Sequence, residues 1–339
     1  MRKFIILIMS FILFVFMIIQ VIDKTNVTLL RGNPSLDMWS VSDTLSLEDI
    51  YTFDLNSDNF KVLLLSDIQI GSRSEREVFD IIDTLVEDTN PDLIITLGDN
   101  TTGFYAHMHT ESLARHMETY KIPWVVTLGN HDNEGIADRN WHGNLYQESE
   151  YSLFKMGPST IQGVGNFVIN IENNNLPVYS LIMMDSNEKV KYDDETDYDV
   201  IHQNQIQWYE WLMRELPIAY NTSVKSMLFF HIPIPEYNNA RDEFLEYEGS
   251  NVNIFGEINE KISSPPLNSG LFESILEFNS TTHIFVGHDH LNTLSYPYQD
   301  VQLTYGLKTG TNSYNDDVLN GGTLLTISSE EVSIAHISY

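Results

Sequence analysis

The chain of 339 residues contains no cysteine. That absence removes disulfides, zinc–thiolate sites, thiol nucleophiles and any lipid-modified cysteine near the N-terminus. A bound metal must therefore be held by His, Asp, Asn or Gln. Basic residues are scarce as well: 18 Lys and Arg stand against 48 Asp and Glu, for a formal net charge of −30. They are scattered singly, without the Lys/Arg stripe that neutralises a phosphate backbone, so no nucleic-acid scaffold is expected as a partner. The same acidity repels anions at long range. A site for a phosphate group would need strong local positive charge, of the kind that metal ions supply. Internal repeats and low-complexity segments are also missing.

Hydrophobic residues make up 42% of the chain, enough to bury one large core or two modest ones. Arg2 and Lys3 precede an apolar run over residues 4–22, broken only by Ser10 and Gln20. About 20 apolar residues span a bilayer, and no small-residue cleavage site stands before Asp23 and Lys24. The run reads as a retained signal anchor over residues 1–23, with secretion after signal cleavage as the alternative. Basic residues ahead of it keep its start in the cytoplasm and place the rest outside the cell. Residues 24–58, with Gly32, Asn33 and Pro34 as breakers, read as a stalk and a leading edge segment. The folded body is expected over 59–339.

Within the body, short apolar runs alternate with helical stretches. Strands are expected at 61–66, 92–97 and 124–128, with helices at 75–87 and 111–120 between them. This alternation is the pattern of an α/β fold whose strands are buried on both faces. Runs at 166–171 and 178–183 read as a hairpin across Asn173 to Asn175. A helix over 203–216 and strands at 226–230 and 283–286 follow. From Leu303 on, alternating apolar residues and glycine pairs suit antiparallel strands that close a second sheet.

Five of these runs end in the same kind of residue. They lead into Asp67-Ile-Gln69, Gly98-Asp-Asn100, Gly129-Asn-His-Asp132, His231 and Gly287-His-Asp-His290. Ligands of open α/β sheets bind beyond the carboxyl ends of the strands, so these residues are expected to meet in one crevice. Residues two apart in extended chain share a side, which pairs Asp67 with Gln69 and His288 with His290. The glycines before Asp99, Asn130 and His288 allow sharp turns. A lone Asp after a strand is ordinarily a turn or capping residue, and a lone His ordinarily structural. Five such events at five strand ends are not readily assigned to chance, and their oxygen and nitrogen donors suit manganese, iron or zinc in two adjacent sites.

The set D-x-[HQ], G-D-N, G-N-H-D, a later His and G-H-D-H, in this order, resembles the calcineurin-like metallophosphoesterases. The segment from Phe229 to Tyr237, with Asn268-Ser-Gly270 and the stretch from Gly287 to Asn292, is similar to the branch holding the purple-acid-phosphatase-like proteins. The likeness runs over roughly residues 60 to 327. It implies a four-layer α/β/β/α sandwich and two divalent metal ions, manganese favoured over iron or zinc because Gln69 stands where the family usually has His. One metal would lie among Asp67, Gln69, Asp99 and His290, the other among Asp99, Asn130, His231 and His288, with Asp99 bridging. His131 would serve as catalytic acid while a bridging hydroxide attacks phosphorus. The implied activity is hydrolysis of a phosphomonoester or phosphodiester on a phosphorylated small molecule or a surface or wall polymer. Cleavage of a phosphoanhydride or nucleotide-type bond is the alternative within the enzyme class, and an inactive metal-binding surface module is the alternative outside it.

Two departures stand out. Besides Gln69, the position three after Asp99 carries Thr102 where many relatives have an acid that orients the catalytic His, so the partner of His131 is open. His107 and His109 read as a solvated loop, with substrate contact as the alternative, Asp185 as a structural turn, with lining of the crevice as the alternative, and His142 as a residue within reach of the phosphate or a structural one. His116 and His283 read as structural, the face of Gln207, Trp208 and Trp211 as packing, and the acidic stretch from Asp193 to Asp199 as a solvated loop.

Overall fold

The computed structural model describes residues 50–55, 59–71, 73–192, 195–316, 319–329 and 331–339. The expected signal anchor and nearly all of the stalk lie outside the described residues. Among those described, no helix is long and apolar enough to cross a membrane.

Two sheets carry the molecule. The larger has seven strands in the order β1 (Tyr51–Asp54), β5 (Phe167–Asn173), β6 (Leu176–Met183), β9 (Lys225–Phe229), β10 (Thr281–Val286), β12 (Val301–Tyr305) and β11 (Ser295–Tyr298). The smaller has five, in the order β14 (Val332–Ser338), β13 (Gly321–Ile327), β2 (Phe60–Leu65), β3 (Leu93–Leu97) and β4 (Trp124–Thr127). The edge strand β1 places Tyr51–Asp54 within the larger sheet, ahead of residue 59. β2, β3 and β4 run parallel, as do β6, β9, β10 and β12.

Alternation along the larger sheet assigns its two faces. Ile169, Leu181, Met183, Met227, Phe229 and Phe285 pack into one core with the strands of the smaller sheet and with α1 (Glu75–Thr89) and α2 (Ala106–Tyr120). Their neighbours Val168, Ile182, Leu228 and Ile284 pack into a second core against α4 (Gln203–Tyr220) and α6 (Leu271–Phe278). The layers are therefore helix, sheet, sheet, helix. Both faces of each sheet are covered, which is why β2 and β3 read as unbroken apolar runs rather than alternating ones. Each fully buried Leu or Ile contributes roughly 1.5–3 kcal/mol.

Several elements differ from the reading of the sequence. α2 begins at Ala106, so His107 and His109 are helical rather than in a loop. No side chain caps that helix, so its start left no residue-type signal. α4 runs through Pro217 to Tyr220, since a proline so near the end removes only a hydrogen bond of the last turns. β13 and β14 are antiparallel, but they extend the smaller sheet through β2 instead of closing the larger one. Within the acidic stretch, residues 195–198 form β8 (Glu195–Tyr198), which pairs antiparallel with β7 (Lys189–Tyr192). Helices α3 (Arg139–Glu148) and α5 (Glu236–Glu246) carry weak apolar periodicity, and α6 is short and mostly apolar. The hairpin between β5 and β6 turns on Asn174 and Asn175, both at positive φ (55° and 61°), the conformation that two-residue hairpin turns require.

Candidate metal centre

The carboxyl ends of β2, β3 and β4 from one sheet meet those of β9 and β10 from the other. Asp67, Gln69, Asp99, His231, His288 and His290 are all buried there. Four of them hold non-glycine backbone at positive φ: Asp67 (48°), Gln69 (45°), Asp99 (49°) and His288 (78°). Such conformations cost of order 1–3 kcal/mol each and persist where the surroundings enforce them. The motif glycines serve mainly as space. A Cβ on Gly129 would lie 2.2 Å from Asp99 Oδ1, and one on Gly287 2.1 Å from Ser66 Oγ. Of the three, Gly98 alone takes a positive φ, at 85°, so the expectation of sharp glycine turns holds there and gives way to close packing at the other two.

Asp99 sits at the middle. Its Oδ2 is 3.3 Å from His231 Nε2 and 3.8 Å from His131 Nε2, and its Oδ1 accepts the His131 backbone N–H at 2.8 Å. His231 Nδ1 lies 2.7 Å from the Leu97 carbonyl, to which only an N–H can bond, so Nε2 is the nitrogen turned to the site, and it offers a lone pair once the imidazole gives up its second proton. His290 is set likewise, its Nδ1 donating to the Tyr314 carbonyl at 2.9 Å and its Nε2 lying 3.4 Å from Asp67 Oδ1. Among the described residues, Asp99, His231 and His288 each bring a donor atom within 4.8 Å of one another.

Burial alone would raise the carboxyls of Asp67 and Asp99, yet both are held well below the usual range. His231 acts on both, joined by His290 and Lys308 at Asp67 and by His131 at Asp99. Burial pulls His231 down, but Asp99 and Asp67 overcome it and raise the imidazole to about 9. The pocket thus recruits positive charge. Asp67 Oδ1, Asn130 Oδ1 and His288 Nε2 are buried without a hydrogen-bond partner. An unsatisfied buried polar atom costs about 1–3 kcal/mol, and divalent cations held in the pocket would give such atoms a partner. The residues at Asp99, Asn130, His231 and His288 therefore fit a metal.

Gln69 is placed in the same pocket but turned the other way. Its Oε1 accepts from Lys308 Nζ at 2.9 Å, while its Nε2 points to Asp99 Oδ2 at 3.3 Å and lies 3.3 Å from His290 Nε2. It presents an amide nitrogen to the site rather than the oxygen expected of a ligand. Lys308, three residues past β12, carried no motif signal; it is buried, and burial lowers its ammonium to about 8 despite Asp67 and Asp99.

The partner of His131 is Glu134. His131 Nδ1 is 2.6 Å from Glu134 Oε1, and Glu134 Oε2 accepts from Thr102 Oγ1 at 2.9 Å and Gly103 N–H at 2.6 Å. The acid absent at position 102 is supplied three residues after His131, with Thr102 holding it. Burial lowers His131, while Asp99 and Glu134 outweigh it and leave the imidazole raised. The i, i+3 spacing of a His and a Glu was the available signal.

Other candidates fall outside the pocket. Asp185 pairs with buried Arg139, whose Nη1 donates to the Gly129 carbonyl at 2.7 Å, so the pair braces the third motif. His142 is buried against Thr110 Oγ1 at 2.8 Å and lowered to about 3, chiefly by burial, which makes it structural. His109 bonds Glu75 at 3.0 Å. His116 stacks on Phe79, His283 stacks on Phe285, and Trp208 and Trp211 pack in the second core, all as expected. Asp132 accepts backbone N–H groups of Gly129, Asn100 and Thr101, tying the second motif to the third.

The family model described as calcineurin-like phosphoesterase matches residues 60–292. The chain is 27% identical over 302 residues to "Probable inactive purple acid phosphatase 14" of Arabidopsis thaliana, covering 76% of this chain and 73% of that protein. To "Phosphatase DCR2" of Saccharomyces cerevisiae it is 28% identical over 271 residues, 70% of this chain and 45% of that one. Among solved structures, a dimetal phosphatase from Danio rerio superposes with a TM-score of 0.50 at 10% identity, over 83% of this chain and 100% of the other. "GAP50 the anchor in the inner membrane complex of Plasmodium" does so with 0.53 at 13% identity, over 83% and 85%. These two likenesses concern the fold.

Proposed function

The chain belongs to the calcineurin-like phosphoesterase family, in its purple-acid-phosphatase-like branch, and from that premise we propose that it is a metal-dependent hydrolase of phosphate esters facing the outside of the cell. The observation that carries the reading is the chain from Thr102 through Glu134 to His131, which ends beside Asp99. A module that only bound metal or phosphate would have no use for an imidazole oriented in this way.

Asp99, Asn130, His231 and His288 would hold a divalent metal, with Asp67 and His290 completing a second position. Such ions supply Lewis-acid charge for phosphoryl oxygens and lower the pKa of a bound water toward neutrality. Glu134 fixes the Nδ1 side of His131, which leaves Nε2 free to carry a proton to the departing oxygen. The neighbouring Asp99 and Glu134 carboxylates favour the protonated form of that imidazole. Its side chain is 39% exposed, so a leaving group can reach it from solvent. A cleft of about 580 Å³ with mixed walls, among them Asn133, Gln162, Glu188, Met156 and Ile161, includes Asn133 two residues past His131.

Plant relatives carry "inactive" in their names, and the yeast relative is named a phosphatase. The test is turnover of a phosphomonoester, a phosphodiester and a nucleoside diphosphate by the purified protein with manganese. Cleavage of a monoester or diester is expected. Cleavage of the diphosphate alone would move the activity to phosphoanhydrides, and metal-bound protein inert to all three would be a binding module. For location, the retained anchor at residues 1–23 predicts that protease added to intact cells removes the body from their surface; a soluble cytoplasmic body would refute it.

A further inference from the structure

Two carboxamides reach the metal centre, and they differ in what holds their oxygens. Asn130 Oδ1 is buried with no hydrogen-bond partner. Gln69 Oε1 is taken by Lys308 Nζ at 2.9 Å, and the same ammonium donates to the Asp67 carbonyl at 3.1 Å. An ammonium has three donors and no acceptor, so it settles which end of the amide it meets. Turning Gln69 over would set N–H against N–H and strip the ammonium of an acceptor. The end left facing Asp99 and His290 is an NH2 group, which has no lone pair for a metal.

Lys308 reaches this position through the fold. Just past β2, Ser66 forms an isolated parallel bridge with Lys308, three residues past β12, and Thr309 N–H bonds the Ser66 carbonyl at 2.7 Å. The lysine is thereby fixed behind Gln69, on the side away from Asp99.

Resting on the reading of this pocket as a metal centre, we propose that Lys308 divides it into a tight half, at Asp99, Asn130, His231 and His288, and a weak half, at Asp67, Gln69 and His290. It does so by holding the Gln69 oxygen out of the site. Lys308 acts through Gln69 and is a positioning residue.

The test is titration of manganese alone into chelator-treated full-length protein, with free ion counted by electron paramagnetic resonance. The wild type takes up one tight equivalent and a second at least about tenfold weaker, the scale on which partners of metal ligands act. Lys308→Met frees the amide to turn and tightens the second equivalent by about 10–100-fold, leaving the first unchanged. Gln69→Glu keeps Lys308 and offers one oxygen to each side, so it tightens the second equivalent too. Should Lys308→Met lose the first equivalent through misfolding, Gln69→Glu decides. Two equal equivalents in the wild type, or an unchanged second affinity in variants that keep the first, would overturn the proposal. No uptake at all would overturn the metal-centre reading itself, whereas full uptake without hydrolysis would defeat only the proposed function.

Discussion

The two halves of the pocket are built from the same kinds of residue at the same kinds of strand end, yet their surroundings set them apart. Around Asp99, Leu97 takes the far nitrogen of His231 and so turns Nε2 inward, and Asn130 keeps its oxygen free. Around Asp67, the His290 ring is oriented in the same manner by Tyr314, but Lys308 claims the oxygen of Gln69. Ligand chemistry is thus decided by the groups behind the ligands as much as by the ligands.

Removing the hub of the tight half should have the largest effect. Asp99→Ala is expected to lose the tight metal equivalent and nearly all turnover, as read by metal content and initial rates on one sample. A variant that kept its metal would show that Asp99 is not the hub. Next in size is His131→Ala, which should keep both metal affinities while kcat falls by about 10²–10⁴-fold, the usual worth of general acid catalysis. Unchanged kcat on a substrate with a poor leaving group would remove His131 from the chemistry.

Glu134→Gln comes third. A hydrogen bond to a charged group is worth roughly 1.5–3 kcal/mol, so kcat should fall by about 10–100-fold. The glutamate is one of the groups that raise His131, and its loss lets the imidazole give up its proton at lower pH. The alkaline fall of the rate should therefore move to lower pH, with the acid limb in place. A shift to higher pH, or none, would show that Glu134 does not govern the proton. The smallest effect is expected from His290→Ala, which should leave the tight equivalent bound; its loss would mean that the halves are not separable.

How far the sequence disclosed this arrangement follows from where each signal sits. Asp67, Asp99, Asn130, His231, His288 and His290 were legible because each directly follows an apolar run, and position at a strand end is a local property. Glu134 lies three residues from His131, but that spacing alone carries little signal, and only the fold sets Thr102 against the same glutamate. Lys308 lies 239 residues from Gln69, and only the bridge between Ser66 and Lys308 brings them together. Burial of the strands on both faces followed from their apolar runs, while the four layers were implied by the family resemblance. The membership of β13 and β14 in the smaller sheet did not follow from such runs, because alternation reports a buried face and not which neighbour lies beside it.

The central claim is that the Asp99 half, with His131 above it, is a working metal-dependent phosphoesterase site. Its most direct test is one titration of manganese into metal-stripped protein, with bound metal and hydrolysis of a phosphate ester followed in the same sample. Turnover is predicted to appear with metal uptake and to be absent throughout the titration of Asp99→Ala. Stoichiometric uptake of manganese by the wild type with no cleavage of monoester, diester or nucleoside diphosphate would contradict it.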